Sequence, residues 1–239
     1  MTSGKPAPII LVPGFWLGAW AWDEVADILR NDGHDVTALT LPGLSSAGDD
    51  PTKVSLDDHV QAIADAVRAK GSRVVLAVHS GAGAPGYAAS DRVAELIAAM
   101  IYVDTGPAKG ALDPDWAAPT RPFPSLEDLS ESENLDGLSQ GQLQTFQERA
   151  LPEPGAVIRE AATLTNDARL DVPTIAICTS FSSDDYKDAI KQGYSFVAGF
   201  PELHDVTWID LPTSHWPMWS RPADLARILG DVASQHGAD

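Results

Sequence analysis

The stretch VLAVHSGAGA, residues 75–84, decides how the rest of the chain is read. Val75, Leu76, Ala77 and Val78 are strand-forming, and they lead into His79 and Ser80. Gly81, Ala82, Gly83 and Ala84, followed by Pro85, Gly86 and Tyr87, open a helix. A buried strand that passes abruptly into small residues describes a strand and a helix packed closely together, with a serine on the tight turn between them. That serine is either an N-cap, its hydroxyl accepting from the helix amides, or a nucleophile held clear of the sheet by a strained backbone. In the second case the amide of Gly81, at a helix N-terminus, is placed to donate to an oxyanion.

The surroundings repeat the strand–helix rhythm. Short apolar runs occur at APIILVPG (7–14), HDVTALTLPG (34–43), SRVVLAVHS (72–80), AAMIYVDTG (98–106), VPTIAICTS (172–180) and DVTWIDLPT (205–213). Each is apolar on both faces, as a strand covered by helices on each side should be. Between them, WDEVADILRNDG has helical spacing and ends in Gly33, a C-cap residue. SLDDHVQAIADAVRAKG opens with Ser55 and, three residues on, Asp58, a capping-box variant. RPADLARILGDVASQHG begins with a proline suited to a first helical turn. The alternation predicts an α/β architecture: an open, mostly parallel sheet of about six strands with helices on both faces, and a ligand site beyond the carboxyl ends of the strands.

Residues 108–170 break the rhythm. They carry no strand pattern, are dense in proline and acids, and contain two helical-looking segments, GQLQTFQERAL and GAVIREAATLTND. A structureless loop of that length is improbable in a folded domain, so a small helical cap is expected here. Residues 1–107 and 171–239 then form the core.

Composition narrows the function classes. The formal net charge is -18, from 34 acidic and 16 basic residues. Such a field repels polyphosphates, so nucleic acid is excluded as a partner, and strongly anionic substrates and anionic membranes are disfavoured. No apolar run is long enough to span a membrane. The N-terminal MTSGKPAPII lacks the pattern of a secretory signal, which makes a cytoplasmic protein the expectation. The single cysteine, Cys178, forms no intrachain disulfide and reads as a buried structural thiol. The six histidines show no metal-ligand spacing, so no metal is expected.

The 75–84 stretch resembles the nucleophile elbow of the α/β-hydrolase fold family, with Val78 and Ala82 where that family usually has glycine. LVPGFWLGAWAWDEVADIL (11–29) resembles the family's loop after the first parallel strand, with Pro13 in place of the usual histidine and Gly14 retained. The resemblance implies that the amides of Phe15 and Gly81 form the oxyanion hole. WIDLPTSHWPMWSRPADLARIL (208–229) is similar to the family's histidine loop, which makes His215 the base that takes the serine proton and returns it to a leaving group. His79 adjoins the serine but points away from its hydroxyl. Across nearly the whole chain the resemblance is to the branch of methylesterases and hydroxynitrile lyases with their bacterial relatives. It implies a cofactor-free serine esterase acting on a small hydrophobic or aromatic carboxylic ester, as a monomer or homodimer.

The histidine needs a carboxylate to fix its tautomer, and two positions compete. Relatives carry an aspartate where VPTIAICTSFSSDDYKD has Phe181, and Asp184 follows slightly later. Asp104, at the end of IYVDTG, ends an apolar run in which an unpaired carboxylate would be costly. Asp104 and Asp184 both stay open at this point. Of the seven tryptophans, Trp16, Trp116, Trp216 and Trp219 cluster near the motifs, and with Phe123 they are candidates for an aromatic substrate pocket. Two other chemistries use a similar constellation: a cofactor-free lyase or dioxygenase with the histidine as base, and a non-catalytic small-molecule receptor.

Overall fold

The structure, a computed structural model, describes residues 5–237. Among the described residues eight strands occur: β1 (Ile9–Val12), β2 (Val36–Ala38), β3 (Val74–His79), β4 (Ile97–Val103), β5 (Thr120–Arg121), β6 (Glu153–Pro154), β7 (Thr174–Cys178) and β8 (Val206–Asp210). Six of them form one sheet in the order β2-β1-β3-β4-β7-β8, every pair parallel. The chain steps outward from β1 to β2 and then returns to place β3 on the other side of β1. The reversal leaves a crevice at the carboxyl ends of β1 and β3, where open parallel sheets bind ligands.

Period-2 alternation sorts the strand residues between two cores. Ile9, Leu11, Val75, Ala77 and Ile101 pack on one face, against α1 (Asp23–Asn31) and α9 (Pro222–Gln235). Ile10, Val12, Leu76, Val78, Met100 and Tyr102 pack on the other, against α2 (Leu56–Ala69) and α3 (Gly83–Val93). The four central strands are buried along their length. The edge strands β2 and β8 are only partly buried, so the expectation of two covered faces fails for DVTWIDLPT and for HDVTALTLPG: each has a neighbour on one side only.

The helix signals act locally. Ser55 and Asp58 form the capping box of α2, and Pro222 occupies the first turn of α9. Ser182 and Asp185 form a second capping box, opening α7 (Ser183–Gln192). Within residues 108–170 lie α4 (Leu126–Ser132), α5 (Gln140–Arg149) and α6 (Gly155–Arg159). GAVIREAATLTND was expected to be helical throughout, but α6 stops after five residues. The segment beyond it is tied down by buried Asp91 of α3, whose Oδ1 accepts from the amides of Thr165 and Asn166, both at 2.8 Å. The same 108–170 stretch also contains the short antiparallel pair β5–β6, with Arg121 opposite Glu153, which no sequence pattern announces. The helix α8 (Pro217–Ser220) completes the set. Among the described residues no helix is long and apolar enough to cross a membrane.

α3 is buried at nearly every position because its small residues let it lie against β3. At Gly86 a Cβ would come 2.6 Å from Cγ1 of Val78. The valine that replaces glycine in the elbow is therefore accommodated by a glycine one turn into the helix. Gly86→Ala should cost about 1–3 kcal/mol by overpacking, and Val78→Ala about 1–3 kcal/mol by leaving a void. In chemical denaturation the double variant should lose less than the two single losses added, by at least about 0.5 kcal/mol. Strict additivity would show that the two positions do not share this space.

Candidate functional site

Ser80 directly follows β3 and begins a 3-10 turn, Ser80–Ala82. Its φ is +50°, a left-handed value that a residue with a Cβ adopts only when its surroundings enforce it. The preceding His79 is fully buried, edge-on to the Trp22 ring and bonded to the His215 main chain rather than to the Ser80 hydroxyl. No side chain caps the turn. The Ser80 hydroxyl instead lies 2.7 Å from Nε2 of His215, so the N-cap alternative does not hold. Gly14 makes the approach possible, since a Cβ there would stand 2.7 Å from the Ser80 Cβ.

His215 Nδ1 lies 2.6 Å from Oδ2 of Asp104. A carboxylate oxygen only accepts, so Nδ1 carries the proton and Nε2 accepts from Ser80. Asp104 is itself a left-handed residue, φ +45°, directly after β4. Its Oδ1 accepts from the amides of Thr179 and Ser180 at 3.0 and 3.1 Å and from the Tyr186 hydroxyl at 3.3 Å, and the Ser180 hydroxyl bonds Oδ2. Burial alone would push this carboxyl upward. The hydrogen bond and charge of His215, with the Ser180 and Thr179 donors, outweigh burial and hold it below the usual carboxylate range. Burial likewise disfavours the His215 imidazolium, but the Asp104 hydrogen bond and charge, helped by Glu133, raise His215 above its ordinary value. Asp184, the other candidate acid, is not the partner. The Ser182–Asp185 capping box turns it outward on the first turn of α7, where it is exposed and 3.0 Å from Lys187.

The histidine loop is clamped from two directions. His79 Nε2 donates to the main-chain oxygen of His215 at 2.7 Å, and the His215 amide donates to the Asn134 oxygen at 2.9 Å. The residue beside Asn134, Glu133, brings Oε2 to 3.8 Å from His215 Nδ1. These clamps are non-local, and nothing in the sequence around Glu133 or His79 signals them.

The loop after β1 is held with equal care. Trp16 has φ +67°, its amide donates to Glu153 Oε2 at 3.1 Å, its indole Nε1 donates to the Arg121 oxygen at 3.1 Å, and its own oxygen accepts from the Leu151 amide at 3.1 Å. The Phe15 amide makes no hydrogen bond among the described residues, and the Phe15 ring lies over Gly81, where a Cβ would meet it at 2.3 Å.

A cavity of about 120 Å³ opens on Ser80 and is lined by Phe15, Trp16, His79, Arg121, Glu133, His215 and Trp216. Of the expected aromatic residues, Trp16 and Trp216 reach it. Phe123 stands behind Trp16 at 5.5 Å between ring centroids, and Trp219 stacks behind Trp216 at 6.3 Å. Phe146, fully buried, joins the two pairs. Trp116 does not line the cavity and reaches it only through Arg121, whose guanidinium sits 5.9 Å from its ring. Cys178 is buried, and its thiol is pushed up to about 12 by that burial. A larger open depression between β8 and α9 holds no nucleophile beside a base. No group of side chains suited to a metal occurs among the described residues.

Six parallel strands, a serine on a left-handed turn after β3 and a histidine after β8 define an α/β-hydrolase fold. Residues 9–228 match the Alpha/beta hydrolase family, and the chain belongs to it. Esterase PIR7B of Oryza sativa subsp. japonica is 33% identical over 110 residues, 43% of this chain and 40% of that protein. The carbendazim hydrolyzing esterase of Nocardioides sp. is 30% identical over 100 residues, 41% of each chain. The aligned part thus spans about two fifths of these curated relatives. Among solved structures, an extracellular alpha/beta-hydrolase from a Paenibacillus species superposes with a TM-score of 0.74 at 22% identity, covering 98% of this chain and 100% of that one. The methylesterase MES16 from Arabidopsis does so at 0.73 and 17%, covering 96% and 99%.

Glu153 is the second buried carboxyl near the cavity. Burial pushes it up from 4.5 to about 8, against the smaller opposing effects of the Trp16 amide and Arg121. Its Oε1 faces Nδ1 of buried His59 at 4.0 Å. His59 donates through Nε2 to the Pro42 oxygen and is held neutral by burial, at about 4. The folded protein therefore keeps a proton on Glu153 that the unfolded chain releases above about 4.5. The stability this contributes is complete below 4.5 and is lost as pH rises toward 8, by up to about 1.4 kcal/mol per pH unit. Urea denaturation from pH 5 to 8 should show the wild type losing stability relative to Glu153→Gln. Parallel curves would show Glu153 to be ionised throughout.

Proposed function

We propose that this protein is a serine hydrolase of small carboxylic esters. The observation that carries the reading is the unbroken chain Ser80 Oγ–His215–Asp104, at 2.7 and 2.6 Å. Ser80 attacks the ester carbonyl as its proton passes to His215 Nε2. The developing oxyanion is held by the amides of Phe15 and Gly81. His215 gives the proton to the departing alkoxide, which leaves as the alcohol, with the acyl group on Ser80. Water enters, loses a proton to His215 and displaces the acid, and Ser80 regains its proton. Asp104, ionised throughout, fixes the imidazole tautomer and stabilises the imidazolium. The segment 108–170 acts as a cap: it brings Arg121, Glu133 and Glu153 to the crevice, and together with the Trp16 and Trp216 walls it keeps bulk water away from the acyl-enzyme. The esterases among the relatives support the same class of reaction.

Kinetics on p-nitrophenyl acetate test the assignment. Ser80→Ala should abolish turnover. Asp104→Asn should lower kcat by on the order of 10³–10⁴-fold, and Asp184→Asn should change it little. Because the base must be neutral and His215 is raised above its ordinary 6.5, kcat/KM should fall on the acid side through a pKa above that value. Undiminished turnover by Ser80→Ala, or a larger loss at Asp184 than at Asp104, would refute the mechanism.

A further inference from the structure

Arg121 is the cation that lines the Ser80 cavity, and among the described residues its guanidinium makes no hydrogen bond and no ion pair within 4.0 Å. It is nonetheless held in place. The guanidinium carbon lies 5.1 Å from the Trp16 ring centroid, 5.7 Å from Phe15 and 5.9 Å from Trp116, and the Arg121 oxygen accepts from the Trp16 indole. Its strand partner across β5–β6 is Glu153, the obvious counter-charge. That carboxyl is turned instead onto the Trp16 amide and toward His59, and burial keeps it protonated at neutral pH. A guanidinium stacked on aromatic rings keeps its planar fork of donors free and pre-organised for a carboxylate.

Building on the hydrolase reading, we propose that Arg121 binds a carboxylate on the acyl side of the substrate, so that the preferred substrates are short half-esters of dicarboxylic acids. The side follows from the cavity's other charge. The leaving alcohol takes its proton from His215 Nε2 and so departs along the imidazole. Glu133, which lines the same cavity and stands 3.8 Å from that ring's Nδ1, sets a negative charge beside the imidazole and repels an anion there. The acyl chain is left facing Arg121. The cavity volume of about 120 Å³ suits a short chain. The net charge of -18 opposes anions at long range, but exposed charges beyond about 8 Å are largely screened at physiological ionic strength, whereas a guanidinium inside a partly dry cavity acts at contact.

Monomethyl succinate and methyl succinamate differ only in carboxylate against carboxamide, and they make the test. The wild type should prefer the carboxylate by about tenfold or more in kcat/KM, mainly through KM. In Arg121→Gln the carboxylate-to-amide ratio should fall by on the order of 30–100-fold, the effect of losing one charge-assisted pair. Arg121→Lys, which keeps the charge without the fork, should lose less. Thermal melting of both variants reports whether they are folded, and if Arg121→Gln fails to fold, the lysine variant alone decides by its ratio. A wild type that prefers the amide or turns over neither compound, or a ratio unchanged in Arg121→Gln, would overturn the proposal. Turnover of p-nitrophenyl acetate by the wild type and its loss in Ser80→Ala, measured alongside, separate that outcome from a failure of the hydrolase reading itself.

Discussion

Three strand ends carry the site, and each turns through backbone that L-residues avoid. Trp16, Ser80 and Asp104 are the non-glycine residues with positive φ among the described residues. They follow β1, β3 and β4, which lie side by side in the sheet. Each such conformation costs on the order of 1–3 kcal/mol and persists only where its surroundings over-determine it. Ser80 is fixed between the closely packed α3 and the bare backbone of Gly14. Asp104 is fixed by two amides, two hydroxyls and an imidazole. Trp16 is fixed by Glu153, Leu151 and Arg121. The sheet sets the spacing of the three ends, and the turns aim their groups into one crevice.

Two buried carboxyls near that crevice have opposite fates, and their surroundings explain why. Asp104 meets several donors and a protonatable imidazole, which together outweigh its burial and keep it ionised. Glu153 meets one amide and a neutral histidine, too little to offset burial, and it stays protonated near neutrality. Environments that drive apart the ionisation of chemically similar groups are how one fold assigns them different tasks. Here the ionised group orients the His215 imidazole, and the neutral one fixes a loop without drawing the Arg121 charge away from the cavity.

The fold and half of the site were readable because their signals are local. Alternating apolar runs and helical segments pointed to the sheet, and Ser55, with Asp58 three residues on, and Pro222 marked helix starts through local geometry. Ser80 and His215 stood out because each follows a strand in a recognisable context. The acid could not be settled in the same way. Asp104 and Asp184 both have sound local explanations, and the difference between them is a contact across 111 residues of sequence. Glu133, Arg121 and Phe146 stayed hidden for the same reason: residues 108–170 place them through β5–β6 pairing and aromatic packing that follow no period. The tryptophans near the motifs were identifiable as aromatic wall, yet only Trp16 and Trp216 face the cavity, because which ring fronts which depends on that same packing.

In the proposed mechanism Ser80 is an activated nucleophile, made so by a strained strand end and a histidine from a distant loop. Intact-mass analysis after exposure to a fluorophosphonate, with peptide mapping of the adduct, tests it most directly. One adduct per chain is expected, located on Ser80, absent in Ser80→Ala and strongly slowed in His215→Ala. A folded wild-type protein that stays unlabelled, or that is labelled on another side chain, would contradict it.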